Sequence, residues 1–97
     1  MNVKLIRMSS GEDLIADVIV DDDECDVLIV ENAIVGFPSG EGTLGFAPWS
    51  PMISKSQKEI EIKRQFVVYV AEPDEQIVEQ YGKMFGKVIT PTKKLVL

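Results

Sequence analysis

The chain contains 97 residues, of which 45% are apolar, 16 are acidic, 10 are basic and none is histidine. This length makes one domain, near the lower limit for burying an adequate core, so the high apolar fraction predicts burial against a partner as well. Without histidine, one chain cannot build a Ser-His-Asp or Cys-His catalytic centre, and it lacks the commonest zinc ligand. No spacing favours chemistry based on lysine or on paired carboxylates, so we expect a protein that is not an enzyme and holds no metal or cofactor.

Charge is divided unevenly along the chain. Residues 1–50 hold two basic and ten acidic residues, a net charge of −8, whereas residues 51–97 hold eight basic and six acidic residues, a net charge of +2. Indiscriminate nucleic-acid binding requires a basic surface, so this balance permits only a local nucleic-acid site.

We expect no targeting segment in this sequence. No apolar stretch approaches the roughly 20 residues that cross a bilayer, and the N-terminal sequence lacks the apolar centre and cleavage site of a signal peptide. The single cysteine, Cys25, cannot form an internal disulfide, which fits a reducing compartment. We expect a cytoplasmic protein with no membrane contact.

The first 72 residues show the short apolar and alternating runs of an all-β region. Residues 13–20 alternate, with Leu14, Ala16, Val18 and Val20 on one face. The acidic run at 21–26 predicts a solvated turn, and the Gly/Pro-rich run at 36–42 predicts a loop. Six runs, at 3–8, 13–20, 27–35, 43–52, 59–62 and 66–70, have strand character, and we count five principal strands among them. The proline-containing run 43–52 would be an edge or bent strand.

The hydrophobic period changes after Pro73. Apolar residues at 77, 78, 81, 84 and 85 form one stripe at helical spacing. Pro73 fits a first helical turn and Gly86 fits a helix end. The sequence therefore predicts one helix over 73–86, which covers an open face or end of the sheet, and a tail over 87–97.

These elements predict a single domain over 1–97, with a barrel region over 1–72. The predicted fold class is mainly β, a small, strongly bent, five-stranded open barrel with one C-terminal α-helix. SH3-like, OB and Sm-like barrels all share this pattern, and the pattern alone does not choose among them.

Two stretches carry a resemblance to a known family. The stretch "VKLIRMSSGEDLIADVIVDDD" resembles the first motif of the Sm and Sm-like RNA-binding proteins, with Val3, Leu5 and Gly11 at comparable positions. The stretch "IKRQFVVYV", which begins at Ile62, resembles their second motif. With "GFAPWSPM" and the helical segment included, nearly the whole chain resembles the small Sm-like proteins of marine cyanophages.

The resemblance implies an Sm-like barrel whose chains pair edge to edge into a homo-oligomeric ring of about five to seven subunits. It also implies binding of RNA or single-stranded DNA, no small-molecule substrate and, for a phage protein, the cytoplasm of the infected host cell. The family's Arg, Gly and Asp or Asn correspond to Lys63, Arg64 and Gln65. Its base-contacting Asn corresponds to Cys25 or Asp26, and an aspartate there accepts from a base amino group but repels phosphate.

Three features keep two interpretations each. Residues 63–65 form either a polar turn or a phosphate contact, which a ring would repeat as an electropositive collar. Trp49 and Phe46 are either platforms that stack on bases or parts of the core or a subunit contact. The acidic run is either a solvated turn or a site for a hard cation.

The leading hypothesis is a non-catalytic, ring-forming Sm-like protein that binds single-stranded RNA or DNA with low base specificity, in phage nucleic-acid processing. Its candidate nucleic-acid-binding residues are Lys63, Arg64, Gln65, Asp26 and Trp49. The alternative is a phage adaptor or scaffold protein that acts through protein–protein contacts without nucleic acid.

Overall fold

The computed structural model describes residues 1–22, 24–40, 42–54 and 56–85. These residues form six strands, a 3₁₀ helix and one α-helix: β1 Val3–Met8, β2 Asp13–Asp22, β3 Val27–Gly40, β4 Thr43–Pro48, β5 Glu59–Lys63, the 3₁₀ helix Arg64–Phe66, β6 Val67–Ala71 and α1 Glu75–Phe85. The mainly β fold with one C-terminal helix confirms the predicted class. The predicted helix end at Gly86 and the predicted tail over 87–97 lie outside the described residues.

The strands form one antiparallel sheet in the order β4-β3-β2-β1-β6, and β5 pairs with the first part of β3. Because β3 is 14 residues long, its residues 27–31 pair with β5 and its residues 34–40 pair with β4. The sheet stays open, since a 3₁₀ helix and not a ladder connects β5 to β6. The described chain thus has six strands where the sequence predicted five principal ones. The run 43–52, predicted as an edge or bent strand, contains β4, which lies at one edge of the sheet.

One face of the sheet carries the inner core, a cluster of eight buried side chains from β1, β2, β3 and β5. They are Ile6, Met8, Leu14, Ala16, Val18, Leu28, Val30 and Ile62. Alternation places every second residue of β2 on this face, as predicted for Leu14 to Val18. Val20 follows a bulge in the β2–β3 ladder and is exposed, because the extra residue ends the simple alternation.

The opposite face carries the outer core, in which Ile15, Ile34 and Tyr81 are buried. Ile77 and Phe85 pack beside Tyr81 on the same side of α1. Four-residue spacing aligns these three side chains on one stripe of a helix. The helix covers one face of the sheet, as predicted, but through these three side chains only, since Val78 and Met84 of the predicted stripe are 38% and 47% exposed.

The start of α1 is set by Asp74. Its carboxylate accepts a hydrogen bond from the Gln76 backbone N–H at 3.1 Å, and its carbonyl accepts one from the Val78 N–H at 3.0 Å. An aspartate that caps the free N–H groups in this way marks the residue before the first helical turn. The predicted helix start at Pro73 is therefore too early, because Pro73 precedes the cap.

Tyr81 also fixes α1 to β3. Its hydroxyl donates a hydrogen bond shared between the carbonyl oxygens of Asn32, at 2.9 Å, and Glu31, at 3.2 Å. These carbonyls lie at a bulge where β3 changes its pairing partner, and Asn32 has a left-handed φ of 52°. An extra residue in one strand bends that strand, and asparagine tolerates the left-handed region.

β3 and β4 continue beyond the rest of the sheet as a two-stranded arm, residues 36–40 and 43–46. Ladder pairs place Phe46 opposite Gly36 and Phe37 opposite Gly45. A Cβ at Gly45 would lie 2.8 Å from the Phe37 ring, so the ring occupies the space that a side chain would need. Aromatic residues that cover glycines across a ladder stabilise such strands. The predicted loop is therefore wrong for residues 36–40, which belong to β3.

Candidate functional site

The candidate site is the junction between β5 and β6, residues 63–66. Lys63 ends β5, and the 3₁₀ helix leads directly into β6. Lys63 and Gln65 are exposed, whereas Arg64 is partly buried. The polar break between two strands that the sequence indicated is present, and its backbone forms a single tight helical turn.

The turn between β2 and β3 lies against this junction. The Arg64 backbone N–H donates to the Asp26 carbonyl at 3.0 Å, and the Arg64 side chain forms an ion pair with Asp21. Asp26 has a left-handed φ of 59°, which short polar residues tolerate at turns. The structure thus brings Asp26 beside Arg64, although the two residues are far apart in the sequence.

Carboxylates dominate the electrostatics of the junction. Asp22 accepts hydrogen bonds from the Cys25 and Glu24 backbone N–H groups, and these bonds, that of Cys25 above all, lower the pKa of Asp22. The hydrogen bond and the charge of Asp22 raise the pKa of the Cys25 thiol, with a smaller contribution from Glu61. The end of β2, the turn and β5 place acidic residues at 21, 22, 24, 26 and 61 near Lys63 and Arg64, so the local field opposes phosphate binding.

Trp49 packs against the interior of the sheet. Its side chain is partly buried and contacts the inner core. Its indole N–H donates to the Glu12 carboxylate at 3.2 Å, and its backbone N–H donates to the Ala33 carbonyl at 3.0 Å. Of the two interpretations for Trp49, this environment favours packing, because a ring held against the core offers little free face to a base.

Phe66 is an exposed aromatic that sequence reasoning did not single out. Its residue is 47% exposed and directly follows Gln65 in the 3₁₀ helix. Its carbonyl accepts the Ser9 backbone N–H at 2.7 Å, which fixes the junction to the β1–β2 turn. The apolar run "FVVYV" predicted that Phe66 belongs to a strand. In the structure Phe66 ends the 3₁₀ helix, and β6 begins at the next residue.

Two unpaired strand edges flank the junction. Within the described residues, β6 pairs only with β1, and β5 pairs only with β3. The β6 side chains are apolar and exposed, at 62% for Val68, 44% for Tyr69 and 37% for Val70. An edge strand of this kind presents free N–H and C=O groups on which another chain can pair.

Metal and membrane sites receive no support from the described ranges 1–22, 24–40, 42–54 and 56–85. In these ranges, no three His, Cys, Asp or Glu side chains are grouped to bind a metal ion. The described helix, α1, has 11 residues, and no helix in this part of the chain is both long and apolar enough to span a bilayer.

Neither protein-family models nor curated proteins match this chain. The function proposed next therefore rests on the junction and its two edges.

Proposed function

We propose that this protein is a non-catalytic, ring-forming protein of the Sm-like type that binds single-stranded RNA or DNA at the junction. The observation that carries the proposal is the position of the junction between two unpaired edges, β5 and β6, of five residues each. Assembly through these edges would place the junctions of neighbouring subunits side by side. A contact that is weak in one chain would then be repeated along one bound strand.

Antiparallel pairing of β5 with β6 of the next subunit fits the side chains at both edges. Ile62 of β5 belongs to the inner core, and Ile60 packs against it. Val70 lies opposite Ile6 in the β1–β6 ladder, so it shares the inner-core face. Pairing would therefore join apolar residues of two subunits on one face. Such a contact uses two different surfaces, so it closes as a ring when the rotation between subunits divides a full turn.

Antiparallel pairing also brings the Lys63 end of β5 beside the Val67 end of the next β6, where the 3₁₀ helix of that subunit ends. Lys63 would attract a phosphate, Gln65 would hydrogen-bond to a base or sugar, and Phe66 would stack on a base. Arg64 contributes less, since Asp21 already neutralises its charge. The nearby carboxylates predict weak, strongly salt-dependent binding with little base specificity.

Light scattering tests the assembly. We expect a wild-type mass equal to one ring, about five to seven times the 10.8 kDa of one subunit, or to a whole multiple of that ring. Val70→Lys places a charge on the β6 edge and should break the ring, which reduces the mass to at most two subunits. Val78→Lys is the matched control, because Val78 is 38% exposed on α1, close to the 37% of Val70. A wild-type mass of one or two subunits contradicts the ring, and an unchanged Val70→Lys mass contradicts the edge.

Fluorescence anisotropy with labelled single strands tests the nucleic-acid contact. At about 0.01 M ionic strength, where charges act over ~30 Å, the wild type should bind. Lys63→Ala should weaken binding and make it less dependent on salt, and Phe66→Ala should lose about 1–3 kcal/mol per stacked base. Lys83→Ala, on α1 beside Glu79, is the control and should change neither. If wild type and the three variants bind the strand with equal affinity, the junction is not the nucleic-acid contact.

The acidic surroundings of the junction favour a second candidate, a scaffold that binds a basic protein surface. The carboxylates of the β2–β3 turn are exposed at Glu24 and Asp26. The scaffold predicts assembly without single-strand binding, and binding of a lysine-rich peptide that Glu24→Gln/Asp26→Asn weakens. Strand binding together with indifference to that peptide would rule the scaffold out.

A further inference from the structure

The arm formed by β3 and β4 is a second unpaired surface, separate from the β5 and β6 edges. Val35 is the furthest β3 residue that pairs with β2, so residues 36–40 pair only with β4 within the described structure. The other edge of β4 is unpaired there too. Leu44 is 55% exposed and Phe37 is 41% exposed. A two-stranded hairpin is only marginally stable in water by itself, so a partner along its edge would stabilise it.

The chemistry of the arm indicates what that partner is. Between Glu31 and Lys55 the sequence has a single charged residue, Glu41, which lies outside the described residues. β4 itself, "TLGFAP", has no charged residue, although natural edge strands are commonly protected by charge. Two copies with a net charge of −6 each repel through their acidic surfaces, and this repulsion is least where both surfaces are neutral. A basic partner would gain more by binding the acidic surfaces, so the neutral arm favours a second copy.

An apolar cavity lies beside the free edge of β4. Its volume is about 260 Å³, and its apolar lining comes from Leu5, Ile15, Leu44, Phe46, Pro73 and Ile77. This exceeds the ~150 Å³ of a cavity that accepts a benzene molecule. The two acidic residues that line it are already engaged, Asp13 with Arg7 and Asp74 with the first turn of α1. The cavity therefore has room for an apolar side chain that approaches from the β4 edge.

We propose that β4 pairs antiparallel with β4 of a second copy about a two-fold axis, so that each Leu44 covers the cavity of the other copy. Leu44 and Phe46 share one face of β4 by alternation, and both line the cavity, so a residue paired opposite Leu44 lies over it. A two-fold contact uses the same surface twice and closes at two copies. It therefore doubles whatever unit β5 and β6 build, whether a ring or a single chain, and does not depend on the proposed function.

Light scattering on Leu44→Lys tests this contact. The charge at the paired edge should halve the wild-type mass and leave the circular dichroism spectrum of the fold unchanged. Gln80→Lys, which adds the same charge at an exposed position of α1, should keep the full mass. A wild-type mass equal to an odd number of subunits overturns the proposal, and so does a Leu44→Lys mass equal to wild type. The double variant Leu44→Lys/Val70→Lys separates the two contacts. Val70→Lys alone should remain a dimer through the arm, whereas the double variant should have the mass of one subunit.

Cross-linking supplies a readout that does not require the loss of assembly. In a Cys25→Ser background, Leu44→Cys should be joined into covalent dimers by a short bis-maleimide, because the two-fold axis brings the two residues together. Gln80→Cys in the same background should stay monomeric on a denaturing gel. Equal cross-linking of both variants, or cross-linking of neither, overturns the proposal.

Discussion

The outer core and the β6 edge use similar apolar residues, yet the described part of the chain covers only the outer core. Under α1, Ile15 and Ile34 are 5% and 3% exposed, whereas Val68 and Val70 on β6 are 62% and 37% exposed. Burial is worth about 25 cal/mol per Å² of apolar surface in either place. The difference teaches that the described chain covers one face of its sheet with its own helix, whereas within the described residues the β6 side chains stay exposed, as the proposed assembly requires. Stability of a subunit and assembly of subunits should therefore respond to different substitutions.

The largest expected difference comes from truncating one side chain in each region. In the Val70→Lys background, which removes pairing through β6, Ile34→Ala should lower the free energy of unfolding by about 2–5 kcal/mol, because it opens a cavity under α1. Val68→Ala should change it by no more than about 0.5 kcal/mol, since its side chain is already in water. Urea unfolding measures both values. Similar losses in the two variants would show that β6 is covered within one chain.

A smaller effect is expected from the hydroxyl groups of the two tyrosines. Tyr81→Phe should lower the free energy of unfolding by about 0.5–1.5 kcal/mol, because the partly buried hydrogen bond of the hydroxyl to the Glu31 and Asn32 carbonyls is lost. Tyr69→Phe, on the exposed β6 strand, is the matched control and should stay within about 0.5 kcal/mol of wild type. If both variants unfold at the same urea concentration, Tyr81 does not hold the helix through its hydroxyl.

The smallest effect is a dependence of stability on alkaline pH. Burial, and secondarily the Asp17 carboxylate, raise the pKa of Tyr81 above its ordinary value. The neutral phenol is therefore favoured in the folded state, so this contribution is complete below the unfolded pKa of about 10 and is lost as the pH rises beyond it. Thermal unfolding between about pH 8 and pH 11 should show the loss in wild type and Tyr69→Phe. If Tyr81→Phe loses as much stability at alkaline pH as wild type does, other titrating groups cause the loss.

Much of the covered region could be predicted from the sequence. The alternation of β2 names its buried residues from Leu14 to Val18, and the helical stripe of α1 names Ile77, Tyr81 and Phe85, because one face of each element meets a core. Both patterns also include side chains that the structure exposes, Val20 on β2 and Val78 and Met84 on α1. The arm could not be predicted in this way. Its "GFPSG" segment has loop composition, and it becomes strand because Phe46 and Phe37 cover Gly36 and Gly45 on the opposite strand. Such pairing depends on register across a turn, which a local pattern does not contain.

The candidate site also has features that the sequence predicted and features that it could not predict. The sequence indicated that Lys63 and Gln65 lie in a polar link between two strands, because a short polar break interrupts two apolar runs. It could not indicate that Asp21 neutralises Arg64, since that ion pair joins distant parts of the chain. It also extended the solvated turn over Asp21 and Asp22, which belong to β2 because they pair with Leu28 and Val27. Trp49 was selected by residue type alone, and its core contacts depend on the fold.

The hydrogen bond from Tyr81 to β3 has a geometrical consequence. It holds the strand at the bulge between residues 27–31, which pair with β5, and residues 34–40, which pair with β4. The phenol therefore fixes β3 at the point where the strand bends, between the part that pairs with β5 and the part that forms the arm. In the assembly proposed above, one direction of growth would run around the ring and the other across the arm, and the angle between them would depend on this hydrogen bond from the helix. A Tyr81 substitution would then change the shape of the proposed assembly without altering a residue of either proposed contact.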